Sequence, residues 1–239
     1  LELSETDLKE NHHASLTPES ILGDQERLIR ASLNDSKQQA QQAKVGLSHF
    51  EILAESMFLL SAGLDTTRSS LSTISYLLAH NAPAQERLYK ELAAIAKRDD
   101  EAKVVFDYDE LTSCDYLDAV ISEALRMFGP VPLIDRVALN DYHIGKYNVD
   151  LPKGSRVLLG LHSVHNDPDY WHEPEMFEPE RFMPGQREKI VAGTYVPFSL
   201  GPRHCIGMRF SLTETKLGLA RLLMEFKFEP APGNKYPPE

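Results

Sequence analysis

The sequence predicts a mainly α, α+β fold. Apolar residues recur at three- and four-residue steps from Ser48 to about His80, the pattern shortens to strand-like runs between 131 and 160, and an amphipathic helix follows a glycine-punctuated loop near the end. Long helices, a small sheet, an irregular loop and a closing helix, in that order and without internal repeats, make this arrangement.

Residues 1–45 are rich in Glu, Gln, Ser and Asn, and Gln38–Gln42 has helix propensity but little apolar surface, so a solvated loop or weak helix is expected. Phe50, Leu53, Met57, Leu60, Leu64, Leu71, Ile74 and Leu78 then define one long, mostly buried helix, which Asn81-Ala82-Pro83 ends. Pro83 to Ala96 reads as the next helix and 97–109 as a charged loop. Cys114 to Phe128 is a third helix, stopped by Gly129-Pro130. From Val137 to Leu159, apolar and aromatic residues separated by Asn-Asp, Gly-Lys and Pro-Lys-Gly turns read as short strands. A Pro-rich meander covers Asp167 to Gly185, a loop covers Pro197 to Gly207, and the last helix runs from about Ile206 to Glu225.

The chain has 239 residues, enough for one sizeable core. At 42% hydrophobic and 26% charged residues it is an ordinary folded composition. A net charge of −11 repels nucleic acid and anionic lipid surfaces, so nucleic acid is not an expected partner. Two cysteines, Cys114 and Cys205, with no CxxC pair, argue against a disulfide scaffold or structural zinc and fit a reducing compartment. No run approaches the roughly 18 apolar residues that a spanning helix needs. With no signal peptide and a start at Leu1 inside a polar stretch, the chain is expected to be a piece of a longer protein.

Phe198-Ser199-Leu200-Gly201-Pro202-Arg203-His204-Cys205-Ile206-Gly207 carries the chemistry. A cysteine opening a helix meets free N–H groups and the positive dipole end, which stabilise a thiolate. Gly201 permits a tight turn with positive φ, Gly207 permits close approach of a flat group, and Arg203 adds a cation two residues from the sulfur. These features suit a metal-binding or nucleophilic cysteine; the bland reading is an inert thiol beside a helix cap.

The pattern Phe198, Gly201, Arg203, Cys205, Gly207 resembles the haem-binding signature of the cytochrome P-450 family, and further motifs follow in the family's order over roughly residues 48–228. The resemblance implies the cytochrome P-450 fold, with 1–239 as the C-terminal haem-binding part of a single domain, and haem b (iron protoporphyrin IX) as cofactor. Cys205 would be the axial iron ligand, Phe198 would shield the thiolate, and Arg203 would pair with a haem propionate.

Glu123 and Arg126 lie at i and i+3 on the third helix and can pair. By the resemblance they match the family's Glu-x-x-Arg motif and form a buried ionic network with Arg181 of the meander, holding the meander and cysteine loop in place. Ala62-Gly63-Leu64-Asp65-Thr66-Thr67 resembles the oxygen-activation segment: Ala62 and Gly63 would leave room over the haem, Thr66 would hydrogen-bond dioxygen or a water, and Asp65 would feed protons. A local bulge in the helix is expected there. Arg136 is either a propionate donor or a solvated strand-end arginine, and Val131, Leu133 and Ile134 would line part of the substrate pocket. Gly129-Pro130 departs from the Pro-Pro common in the family. His165-Asn166-Asp167-Pro168 and Trp171 are given packing roles, and Cys114 a structural or incidental one. Arg209 and Lys216, seven residues apart, form either a basic docking face for an electron donor or a solvated helix face.

The implied reaction is insertion of one oxygen atom from O2 into an apolar small-molecule substrate, with electrons from NADPH through a flavoprotein reductase. The run from Gly201 to Phe210 is most like the microsomal, drug- and steroid-oxidising branch, which implies the endoplasmic reticulum membrane and an N-terminal anchor outside this chain. The alternatives are a haem-thiolate isomerase or dehydratase, against which Asp65-Thr66 argues, and a catalytically inactive haem-binding fragment.

Overall fold

The computed structural model describes residues 46–236. The chain divides into two units, residues 1–56 and 57–239. The described part of the first unit carries the start of helix α1 (His49–His80). Ser48 and Glu51 form a reciprocal capping box there, the Ser48 N–H donating to Glu51 Oε2 at 2.8 Å and the Glu51 N–H to Ser48 Oγ at 3.2 Å. Such a box satisfies two amide donors that a helix start leaves without partners. The loop or weak helix expected in residues 1–45 lies outside the described residues.

In the second unit, α1 departs from the expected burial. It buries Thr67, Ser70, Ile74, Leu77 and Leu78 along one stripe, while Met57, Leu60 and Leu64 are 65%, 69% and 62% exposed. Apolar periodicity marks a face that needs cover but not the element that supplies it, and the described residues leave this stretch uncovered. Helix α2 (Ala82–Ile95) starts where Asn81 accepts the Ala84 N–H at 3.1 Å, with Pro83 in its first turn. Its buried Gln85 donates to the carbonyls of Leu78 and Phe228 and accepts the Phe228 N–H, tying α2 to the chain beyond the last helix.

The charged stretch 97–109 is more ordered than a loop. β1 (Lys97–Arg98) pairs antiparallel with β2 (Val104–Val105), and a short helix α3 (Tyr108–Thr112) follows. Local carboxylates make the difference: Asp99 accepts the amides of Glu101 and Lys103, and Asp107 caps α3 through the amides of Asp109 and Glu110.

Helix α4 (Asp115–Phe128) is the centre of the core and is buried almost all round, from Tyr116 to Met127 with only Asp118 excepted. Around it pack Ile74, Leu77 and Leu78 of α1, Leu88 and Leu92 of α2, and Trp171, Phe177 and Phe182 of the meander. Gly129 ends α4, and a Cβ there would stand 2.8 Å from the Leu125 carbonyl oxygen, so no other residue fits without a shift.

The expected small sheet is three antiparallel ribbons among the described residues. Besides β1–β2, β3 (Leu133–Val137) pairs with β6 (Arg156–Gly160), and β4 (Tyr142–Ile144) with β5 (Val149–Leu151). Asn148 in a left-handed conformation (φ 50°) turns the chain from β4 into β5. A short helix α5 (Leu161–His165) leads into the meander, and α6 (Met208–Glu225) closes the fold with Leu219, Ala220 and Leu223 in the core. Among the described residues no helix is long and apolar enough to cross a membrane.

Candidate functional site

The site is built outward from α4. Arg126 and Glu123 are both fully buried, and Arg126 forks onto the carboxylate through Nε–Oε2 at 2.7 Å and Nη2–Oε1 at 2.8 Å. The remaining donors of Arg126 reach the carbonyls of His165 (2.9 Å) and Pro174 (2.8 Å), and its guanidinium lies 5.1 Å from the Trp171 ring centre. Glu123 Oε1 also accepts the Glu178 N–H at 3.1 Å and has Arg181 Nε at 3.4 Å, an ion pair without hydrogen-bond geometry. Arg181 is further held by the Glu178 carboxylate at 2.9 Å and the Glu173 carbonyl at 3.1 Å. The three charged residues are thus brought together, and the satisfied donors of Arg126 fix the meander on α4.

The cysteine loop hangs from this frame. Ser199 and Gly201 both take positive φ, 63° and 76°. Ser199 N–H donates to the Val196 carbonyl and Cys205 N–H to the Phe198 carbonyl, each at 2.9 Å. Because the Cys205 amide closes the loop in this way, the cysteine does not open the helix as expected. α6 begins at Met208, with Gly207 at its cap and the Ser211 N–H→Gly207 carbonyl bond as its first turn. Cys205 is a free, exposed thiol, and a Cβ on Gly207 would lie 4.0 Å from its Sγ, in ordinary contact. Phe198 is half-buried against the core, whereas Arg203 is exposed in the Gly201–Arg203 turn with no ion pair among the described residues.

Arg136, whose sequence left two readings open, is turned toward this loop. It is half-buried and donates to Ser199 Oγ at 3.1 Å from the β3 side. Between β3–β6 and the loop lies a concavity of about 260 Å³, lined mainly by Ile134, Leu159, Leu161, Val196 and Leu200, with Arg136 as its charged lining residue.

The segment 62–67 carries a second correction. α1 runs through it without a bulge, because Thr66 Oγ donates to the Ala62 carbonyl at 2.7 Å and Ser70 Oγ to the Thr66 carbonyl at 2.9 Å, satisfying the polar groups inside the regular helix. Asp65 is exposed and pairs with Arg68 at 3.3 Å. A side chain added at Gly63 would meet open space. Among the described residues no hydrogen bond or ion pair joins Ala62, Gly63, Asp65 or Thr66 to the cysteine loop. The neighbouring Thr67, not singled out from the sequence, is buried with its hydroxyl unpartnered among the described residues.

Lys216 is not part of a basic docking face. It is buried, paired with Asp118 at 2.8 Å and donating to the Thr112 carbonyl at 2.7 Å, so it braces α6 against α3 and α4. Arg209 alone of the two is exposed. Cys114 sits half-buried at the start of α4, where burial pushes its thiol pKa up.

His165 has a larger part than the packing role read from the sequence. It is 3% exposed, and its Nε2 accepts the Val196 N–H at 2.9 Å. Burial, aided by the charge of Arg126 and by His162, lowers its pKa to about 4. A lone histidine in a polar run carries no sequence signal for such a contact. Trp171 anchors the same region through Nε1–H to the Val164 carbonyl at 3.1 Å.

The chain offers a single exposed thiol sulfur on a glycine-turned loop, with Arg203 two residues before it, which is donor chemistry suited to an iron porphyrin. It belongs to the cytochrome P450 family, whose sequence model matches residues 6–239. Curated relatives include cytochrome P450 3A29 of Sus scrofa, 36% identical over 223 residues, covering 92% of this chain and 43% of that protein. Cytochrome P450 3A5 of Homo sapiens is 40% identical over 191 residues, covering 80% of this chain and 37% of that protein. Cytochrome P450 3A19 of Capra hircus aegagrus is 38% identical, covering 78% of this chain and 83% of its own sequence. The chain therefore spans less than half the length of most of these relatives. The cofactor of the family is haem, and the donor chemistry described above fits it.

Proposed function

We propose that this chain is the C-terminal haem-binding part of a monooxygenase that inserts one atom of O2 into an apolar organic substrate. The exposed Cys205 sulfur, on a loop anchored to the buried Glu123–Arg126 pair, carries the reading. Bound haem would supply the oxygen-activating and electron-accepting chemistry. Cys205 Sγ would hold the iron, and Arg203, which makes no ion pair among the described residues, and Arg136, which lines the concavity, would hold propionates. Phe198 keeps water from the sulfur on the core side. Thr66 presents its lone pairs while its proton is given to the Ala62 carbonyl, so it releases a proton outward only by rotating away from that 2.7 Å bond. Asp65, exposed and salt-bridged to Arg68, takes up protons from solvent. Val131, Leu133 and Ile134 line one wall of the substrate pocket.

The electrons come from NADPH through a flavoprotein reductase, and the protein resides at the endoplasmic reticulum through an anchor beyond this chain. These two assignments rest on the likeness to the drug- and steroid-oxidising branch. The exposed apolar stretch of α1 favours a second reading, in which the 239-residue chain by itself binds haem weakly and does not turn over. Product formation by the isolated chain with reductase would refute that second reading.

The test of the main reading is the ferrous–CO absorption spectrum of the haem-loaded full-length protein and of its Cys205→Ala variant. A strongly red-shifted Soret band, lost in the variant, is the expected result. An unshifted band in the unaltered protein would overturn ligation by Cys205.

A further inference from the structure

We propose that His165 is a positioning residue for the cysteine loop, acting as a neutral hydrogen-bond acceptor that fixes the backbone at Val196. Its functional meaning rests on the reading of Cys205 as the iron ligand, but the contact itself does not. His165 ends α5, and both of its polar faces are committed. Its main-chain carbonyl receives Arg126 Nη1 at 2.9 Å, and its ring Nε2 receives the Val196 N–H at 2.9 Å. From Val196 the connection continues into the loop: the Val196 carbonyl takes the Ser199 N–H, and two residues on, the Phe198 carbonyl takes the Cys205 N–H, each at 2.9 Å. One residue thus joins the buried Arg126–Glu123 pair, through its carbonyl, to the strand of backbone that sets where Cys205 sits, through its ring.

The chemistry demands the neutral ring. An imidazole that accepts at Nε2 carries its proton on Nδ1, and a second proton would set two N–H groups against each other at Val196. The groups around the ring enforce this state. Arg126, itself paired with Glu123, faces it from α4, His162 faces it from α5, and the Tyr195 ring lies 5.7 Å away on the segment leading to the loop. Tyr195 is itself packed on Phe182 at 4.6 Å between ring centres, so the segment has little room to yield when the acceptor is lost.

A histidine that merely fills space would be replaced without consequence by another ring. His165→Phe keeps the ring and removes the acceptor; His165→Gln removes the ring and can return an acceptor at about the place of Nε2. In the haem-loaded full-length protein, amide hydrogen exchange at Val196 and the ferrous–CO spectrum are read for both. The Phe variant is expected to exchange at Val196 about tenfold faster, as for a buried donor left unpaired, and to lose part of the red-shifted band. The Gln variant is expected to restore both. Wild-type protection in the Phe variant, or a Gln variant no better than Phe, overturns the proposal. Should the Phe variant not fold, the Gln variant decides alone, since wild-type protection of Val196 sustains the role and loss of it overturns the role. A Cys205→Ala control separates the two readings, because failure of the iron-ligand assignment changes the spectrum and leaves the Val196 exchange comparison standing.

Discussion

Arg126→Ala is expected to lower stability by about 3–5 kcal/mol, enough to abolish a folded haem-binding protein. The size follows from what the substitution leaves behind. Glu123 is fully buried, and its two oxygens take both short bonds from Arg126, at 2.7 and 2.8 Å. Arg181 remains nearby but makes no hydrogen bond to it through Nε, so it cannot replace the fork. The carbonyls of His165 and Pro174 lose their donors in the same step. Arg126→Lys is expected to recover little, because an ammonium offers no planar fork. Urea unfolding followed by circular dichroism, with haem absorbance as a second probe, measures the loss. A variant that unfolds within 1 kcal/mol of the parent would show that the pair is not what holds the meander on α4.

Acid is expected to weaken the fold through His165. Its pKa in the folded chain is lowered to about 4, against an ordinary 6.5, so between those values the unfolded chain binds more protons. Stability from this group is complete above pH 6.5, falls as the pH drops through the window, and levels off below about 4. The full loss is about 3 kcal/mol, of which about 2 kcal/mol has gone by pH 5. Urea midpoints at pH 7 and pH 5 for the parent and for His165→Gln isolate this contribution from the carboxylates, which titrate in both. The Gln variant is expected to lose less stability over the interval; equal losses would mean that the ring is already protonated or hydrated in the folded state.

The sequence shows some of these features more clearly than others, for physical reasons. Helix boundaries are legible because Asn81, Pro83 and Gly129-Pro130 are local stop and start signals. The pairing of Glu123 with Arg126 is legible as a face, since i and i+3 residues meet on any helix. Periodicity marks an apolar face without saying what covers it, and so it predicts burial for α1 where the described surroundings leave it open. The same limit applies to Lys216, whose position on α6 could face solvent or protein and whose burial depends on Asp118 and the Thr112 carbonyl, about 100 residues away in sequence. The expected bulge at Thr66 fails because a hydroxyl can return its proton to its own helix. The sequence shows only a packing role for His165, because its partner is a main-chain amide, which every residue but proline carries and no side-chain pattern reveals.

The two thiols stand in opposite circumstances, and this gives them different reactivities toward an alkylating label. Cys205 offers an exposed sulfur on a loop, whereas Cys114 is half-buried with its thiol held in the unreactive protonated form. With only two cysteines in the chain, a single round of labelling marks one position. On the proposed ligation by Cys205 the label then becomes a meter of cofactor loading: sulfur bound to iron would be shielded, and the fraction of chains that take up reagent would track the fraction that stand empty.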